Sequence, residues 1–237
     1  MESMAVNTTN QSLTAIVLGA TGLTGSCLLE LLLNDDRYDK VVTLSRKQIP
    51  QQHPKLQQQV ANLFDPNTYT DVLKGDHLYI CTGTTKAKTP DPKEYYRIEH
   101  DLPVQVAQVA RQNNVSKVIV VSAIGASPDS KFTYNRGKGD MERDIENLGF
   151  NAAYFVQPAL IGGDRKEQRS FESAWKKIQK LIDPLLKGSF KKYRTIDPET
   201  IAQSMIYLAV NDYKSVRIES DVLKTLALNY YNEYGRN

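Results

Sequence analysis

The chain has 237 residues, 41% of them hydrophobic and 24% charged, with a net charge of +3. That composition suits one α/β domain with a large buried core, or at most two small domains. The basic excess is too weak to argue for a nucleic-acid partner, no apolar run reaches membrane-spanning length, and the start lacks a signal peptide's basic-then-apolar build. Cys27 and Cys81 lie in apolar runs and read as buried, reduced thiols of a cytoplasmic protein. The three histidines have no ligand spacing, so no metal site is expected.

Residues 1–12 read as a flexible polar tail, and 13–237 as one domain. TAIVLGA (14–20) predicts a buried strand and LTGSCLLELLLND (23–35) the helix packed on it. KVVTLS (40–45) predicts a second strand, KLQQQVANL (55–63) a weaker third, and VLKGDHLYICTG (72–83) leads into a fourth. A long helix over 96–114 is expected despite Pro103, then strand five at SKVIVVSA (116–123). A helix from Tyr134 to about Asn147 precedes strand six at 150–159. Strands alternating with helices through short connections imply a doubly wound parallel sheet, the Rossmann arrangement.

Gly19, Gly22 and Gly25 fall between the first strand and its helix. Glycines there permit a tight turn, close backbone approach to a pyrophosphate, and close helix–strand contact. The helix N-terminus offers unpaired N–H groups and partial positive charge to the anion. At the end of strand two an NAD site wants a carboxylate for the ribose 2′-hydroxyl. This chain has Ser45, Arg46 and Lys47 instead. A guanidinium suits a 2′-phosphate, so NADP is the expected cofactor; the alternative is a solvated basic turn.

Strand five ends at Ser122, and Tyr134 and Lys138 lie one helical turn apart on the next helix. Ligands in such sheets sit beyond the carboxyl ends of the strands. A free phenol titrates near 10, and a neighbouring ammonium favours its ionisation. Lys138 would supply that charge and hold the nicotinamide ribose, while Ser122 would hydrogen-bond the substrate carbonyl. The alternative is two solvated residues sharing a helix surface.

GATGLTG, ICTGTTKAK, VSAIGAS, YNRGKGDMERDI and QPALIGGDR, in that order across residues 14–210, resemble an atypical short-chain dehydrogenase/reductase. The likeness is greatest to the Tat-interacting oxidoreductase subfamily and its bacterial NAD(P)-binding relatives. The resemblance implies a Rossmann fold, NADP, and a Ser122–Tyr134–Lys138 reductase site. It sets Gly19, Thr21, Gly22, Leu23 and Thr24 along the pyrophosphate, and Arg46 on the 2′-phosphate. Cys81, Thr82 and Gly83 would lie beside the adenosine and ribose, and Pro158, Ala159, Leu160 and Ile161 near the nicotinamide amide. This chain departs from the pattern at Asn62, where an acid usually stands near adenine, and at Gln157, where an arginine is common. Ala123 stands where serine is frequent, and Ser127 and Ser130 are rival hydroxyls closer to Tyr134.

Residues 170–194 place Trp175, Ile178, Leu181, Ile182, Leu185 and Leu186 at roughly helical spacing among lysines, and a substrate-side helical region is expected over about 165–195. The alternative is a basic surface for an anionic membrane or a partner. Asp197 and Pro198 read as N-cap and first residue of a further helix, followed by a last strand, a short helix and a polar end. The expected function is NADP-dependent reduction of a small carbonyl compound, or oxidation of the alcohol. The alternative is an NADP-binding sensor or scaffold that regulates a protein partner without turnover. Epimerase or dehydratase chemistry on a nucleotide sugar fits poorly, because the region after strand six is short. Monomer and homodimer are both compatible with the sequence.

Overall fold

The computed structural model describes residues 12–159, 161 and 188–235, and the alternation in the sequence becomes alternating strands and helices. In chain order these are β1 (Leu13–Leu18), α1 (Leu23–Leu33), β2 (Tyr38–Ser45), β3 (Leu56–Val60), β4 (His77–Ile80), α2 (Pro92–Tyr96) and α3 (Leu102–Gln112). They continue as β5 (Lys117–Val121), α4 (Thr133–Glu146), β6 (Ala152–Gln157), α5 (Pro198–Val210), β7 (Arg217–Glu219) and α6 (Ser220–Tyr234). Among the described residues seven strands form one sheet, in the order β3-β2-β1-β4-β5-β6-β7. Every neighbouring pair is parallel. This is the Rossmann arrangement. The strand order reverses between β1 and β4, which opens a crevice at their carboxyl ends.

Successive strand residues face opposite sides, so each central strand feeds two cores. Ala15 and Val17 of β1 pack with Leu28, Leu29 and Leu32 of α1 and with Met205 and Leu223 of α5 and α6. Ile16 and Leu18 face the other way, onto Val106 and Ala110 of α3 and Met141 and Ile145 of α4. With both faces covered, β1 and β4 read as nearly unbroken apolar runs.

Two expectations change. The helix expected over 96–114 begins at Pro92 and carries a π-turn over Arg97–Asp101, closed by Leu102 N–H donating to the Arg97 carbonyl. Pro103 has no N–H to give the Glu99 carbonyl four residues back, and the wider turn accommodates that gap. The last helix, expected to be short, runs 15 residues. Asp197 precedes α5 as expected but makes no side-chain cap. The expected tail before residue 12 and the amphipathic segment as far as residue 187 lie outside the described residues. No helix among the described residues is long and apolar enough to cross a membrane.

Candidate functional site

The turn from β1 into α1 is shaped by three glycines, each under a different constraint. Gly19 sits at φ +90°, and a Cβ there would lie 2.7 Å from the Cys81 carbonyl carbon. A Cβ on Gly25 would lie 2.1 Å from the Gly19 oxygen. These two glycines serve the fold, by letting the ends of β1 and β4 and the start of α1 close up. Gly22 is different: it caps α1 at φ −78°, and a Cβ there would meet only ordinary contacts, 3.4 Å to Gly19 O and 3.8 Å to Cys81 O.

Over this turn lies a cavity of about 680 Å³. Thr21 to Thr24 and Ser26 form one wall, Cys81 to Thr85 with Lys88 another, and Val121, Ser122, Tyr134, Lys138, Glu99 and Ile161 close the far end. Burial pushes the Cys81 thiol up to about 12, against the opposing pull of Lys138, so it is an unreactive wall. Thr82 Oγ1 is buried and finds no hydrogen-bond partner among the described residues.

The segment beginning YNRGKG is seated by its own small and polar residues. Asn135 Nδ2 donates to the carbonyls of Ile124 and Gly125, and its carbonyl accepts from Ser127 N–H at 3.0 Å. A Cβ on Gly139 would lie 2.2 Å from the Ser127 carbonyl carbon, so α4 lies directly on the loop after β5. Tyr134, at the start of α4, faces the cavity. One turn on, Lys138 is buried. Its Nζ lies 2.9 Å from Glu99 Oε2 and donates to the Val121 carbonyl at 3.3 Å. Glu99 Oε1 in turn accepts from Thr84 N–H. Burial alone would lower the Lys138 ammonium, but the neighbouring Glu99 carboxylate outweighs it, and the group titrates above its ordinary range.

Ser122 is engaged elsewhere. Its hydroxyl donates to Glu142 Oε1, which also accepts from Gln157 Nε2 at 2.9 Å, while Glu142 Oε2 accepts from Arg217 Nε at 2.8 Å. A carboxylate held by a guanidinium only accepts, so the Ser122 proton is committed and its oxygen offers lone pairs to the cavity. The donation toward substrate expected of this hydroxyl goes to Glu142 instead. The rival Ser127 and Ser130 hydroxyls accept from the N–H groups of Asp129 and Phe132 and lie outside the cavity wall.

After β2, Ser45 Oγ donates to the Lys47 carbonyl at 2.7 Å, and Arg46 and Lys47 are exposed; none of the three is among the residues lining the cavity. Asn62 is exposed after β3, its Oδ1 accepting from Phe64 N–H. Pro158 and Ala159 tie the end of β6 to its neighbours, through Ile124 N–H to the Pro158 carbonyl and Ala159 N–H to Ser220 Oγ. Ile161 lines the cavity and bridges to Ile196; Leu160 lies outside the described residues.

A family described as NAD(P)H-binding matches residues 19–175. The chain belongs to that family. Among relatives, the protein "FMP52, mitochondrial" of Eremothecium gossypii is 33% identical over 152 residues, 64% of this chain and 68% of the relative. The Aspergillus niger protein of that name is 29% identical over 202 residues, covering 82% and 86%. Among solved structures, a short chain dehydrogenase family protein of Francisella tularensis superposes with a TM-score of 0.59 at 16% identity, over 88% of this chain and 96% of that one. A UDP-N-acetylglucosamine 4-epimerase of Methanobrevibacter ruminantium gives 0.65 at 17% identity, over 88% and 77%. At such identities the likeness speaks for the fold alone. The relatives' mitochondrial names overturn the expected cytoplasmic location.

The crevice fits the ligand class that names the NAD(P)H-binding family. Gly22 is a glycine the fold itself does not need, at the place where a pyrophosphate requires bare backbone. Thr82 Oγ1 is a buried polar atom without a partner, on the opposite wall. Lys88, Glu99 and Glu142 were missed in the sequence. Glu142 was within reach there, because Tyr134, Lys138 and Glu142 repeat every four residues on one helix face. Glu99 was not, since nothing in its local pattern links it to a lysine 39 residues later.

Proposed function

We propose that the chain is an NADP-dependent oxidoreductase that reduces a small carbonyl compound, and that it resides in mitochondria as its relatives' names state. The observation that carries the reading is the single crevice running from the bare backbone at Gly22 to Tyr134 and Lys138. Thr21 to Thr24 and the α1 N-terminus would hold the pyrophosphate, with Lys88 within the same walls as a further positive charge. Preference for NADP rests on Arg46 and Lys47 at the end of β2, where no carboxylate stands to repel a 2′-phosphate. The nicotinamide ring, when bound, supplies the hydride. Lys138, ion-paired with Glu99 and donating to the Val121 carbonyl, is an ammonium with three N–H groups and can also serve a ribose hydroxyl or the phenol. Tyr134 gives its proton to the carbonyl oxygen as that oxygen gains charge, and Ser122 accepts a hydrogen bond and keeps the ring oriented.

Calorimetry with NADPH and NADH tests the cofactor half. NADPH should bind at least about tenfold tighter, equivalent to about 1.4 kcal/mol, and Arg46→Ala should remove most of that margin. A screen of aldehydes and quinones followed by NADPH consumption tests the other half. Tyr134→Phe should lower turnover by about 10²–10⁴-fold with NADPH affinity retained. The second reading, an NADP-binding regulator without turnover, draws on the committed Ser122 proton and the paired Lys138 charge. It predicts that no carbonyl in the screen is reduced while NADPH still binds.

A further inference from the structure

Lys138 is buried against a buried carboxylate, and this changes what the lysine can do for the tyrosine. In the Lys138–Glu99 contact the two side chains are 4% and 3% exposed. Glu99 is fixed there from two sides. The π-turn holds its backbone, and Thr84 N–H from the loop after β4 holds its other oxygen. The π-turn is itself bound to α4, where His100 Nε2 lies 3.0 Å from Asp144 Oδ2 and the Tyr96 ring lies beside Gly137. An ammonium in a low-dielectric site draws a phenolate only if its charge is not already met. Here it is met within hydrogen-bonding distance.

We infer that Glu99 is a positioning residue that cancels the Lys138 charge and keeps Tyr134 a protonated phenol at neutral pH, so that the site delivers a proton to a carbonyl oxygen and is a poor acceptor of one from an alcohol. The inference rests on the reductase reading above. In the reduction, the carbonyl carbon gains a hydride with both its electrons from a bound dihydronicotinamide, which leaves oxidised. The oxygen takes the Tyr134 proton, and the phenolate regains a proton from solvent. The reverse reaction needs the phenolate first, and Glu99 opposes its formation. Lys88, on the wall of the same cavity, acts in the opposite sense; Tyr95, Cys81 and Glu142 act in the same sense or are silent. Tyr95, buried beside Glu99, is raised by burial and then by the Glu99 charge, so it stays neutral. Cys81 is likewise a neutral thiol, and Glu142, one turn beyond Lys138, adds negative charge.

The test needs neither cofactor nor substrate. Carbon-13 labelling of the tyrosine rings, with Tyr134 assigned by its loss in Tyr134→Phe, gives that residue's own titration by NMR. In the wild type Tyr134 should still be mostly phenol at a pH of about 9.5. In Glu99→Gln, which keeps the side chain's shape, its midpoint should fall by about one pH unit, and Glu99→Asp should restore the wild-type curve. A wild-type midpoint below about 9.5, or a Glu99→Gln midpoint equal to wild type, overturns the inference. Should Glu99→Gln not fold, the wild-type curve decides alone. Failure of the reductase reading would show differently, as turnover unaffected by Tyr134→Phe.

Discussion

Lys138→Met keeps a long unbranched side chain and removes the charge. Glu99 would then stay buried with Thr84 N–H as its remaining close partner. Removing one member of a buried pair typically costs about 3–5 kcal/mol, because the partner's charge is left uncompensated. Glu99 keeps the Thr84 bond, so the lower end applies, about 3 kcal/mol. Against a total stability of about 5–15 kcal/mol, this is a large fraction. With a urea slope of about 2–3 kcal/mol per molar, the midpoint should fall by about 1–1.5 M. Adding Glu99→Gln to Lys138→Met removes the stranded charge and should restore most of the loss. Far-UV circular dichroism in urea measures all three proteins. A Lys138→Met midpoint equal to wild type, or a double variant no more stable than the single one, would refute the pairing argument. A lysine serving catalysis alone would leave the midpoint where it was.

Gly22→Ala should fold like wild type, since its Cβ meets contacts no closer than 3.4 Å, yet lose NADPH binding in calorimetry by at least about tenfold; wild-type affinity would show that the turn is only a turn. His77 is buried with Nδ1 2.7 Å from Tyr38 Oη, and burial lowers it to about 4. The unfolded chain therefore takes up the extra proton first: the contribution is intact above about 6.5 and is lost as pH falls toward 4, about 3 kcal/mol in all. His77→Gln should flatten the urea midpoint across that window, and an unchanged pH dependence would clear His77 of the role. Glu142→Ala strands the Ser122 and Gln157 donors and should cost about 2–3 kcal/mol, whereas Arg217→Ala, whose side chain is 42% exposed and also bound to Glu146, should cost about 1 kcal/mol. Equal urea midpoints for the two variants would contradict this ordering.

The strands and the parallel, doubly wound sheet follow from local features, and so they were legible. The runs at Leu13–Leu18 and Lys117–Val121 are short, β-branched and bounded by turn residues, and the glycine turn marks where the sheet begins to wind. The Tyr134–Lys138 spacing gave their shared helix face for the same reason. What the sequence concealed was pairing across distance. Ser122 looked like a free hydroxyl because Glu142, 20 residues on, meets it only after α4 docks. Gln157 and Arg217, far apart in sequence, both meet Glu142, Arg217 being brought there by β7. The helix expected over 96–114 was misjudged because Pro103 signals a break or a kink, and a π-turn is a third outcome that composition does not separate from them.

That π-turn also settles a conflict of phase. Glu99, Leu102, Pro103, Val106 and Ala110 recur at the spacing that would put them on one side of an unbroken α-helix. Leu102, Val106 and Ala110 are committed to the core beneath the sheet, and an ideal helix would carry the carboxylate in among them. One additional residue per turn rotates everything upstream by roughly 100° relative to everything downstream. Glu99 escapes the oil and meets Lys138, while the apolar stripe after it stays in register. The two halves of the helix can thus vary independently, the front half with the ligand and the rear half with the packing. An unbroken α-helix through Arg97–Asp101 would drive that carboxylate into hydrocarbon.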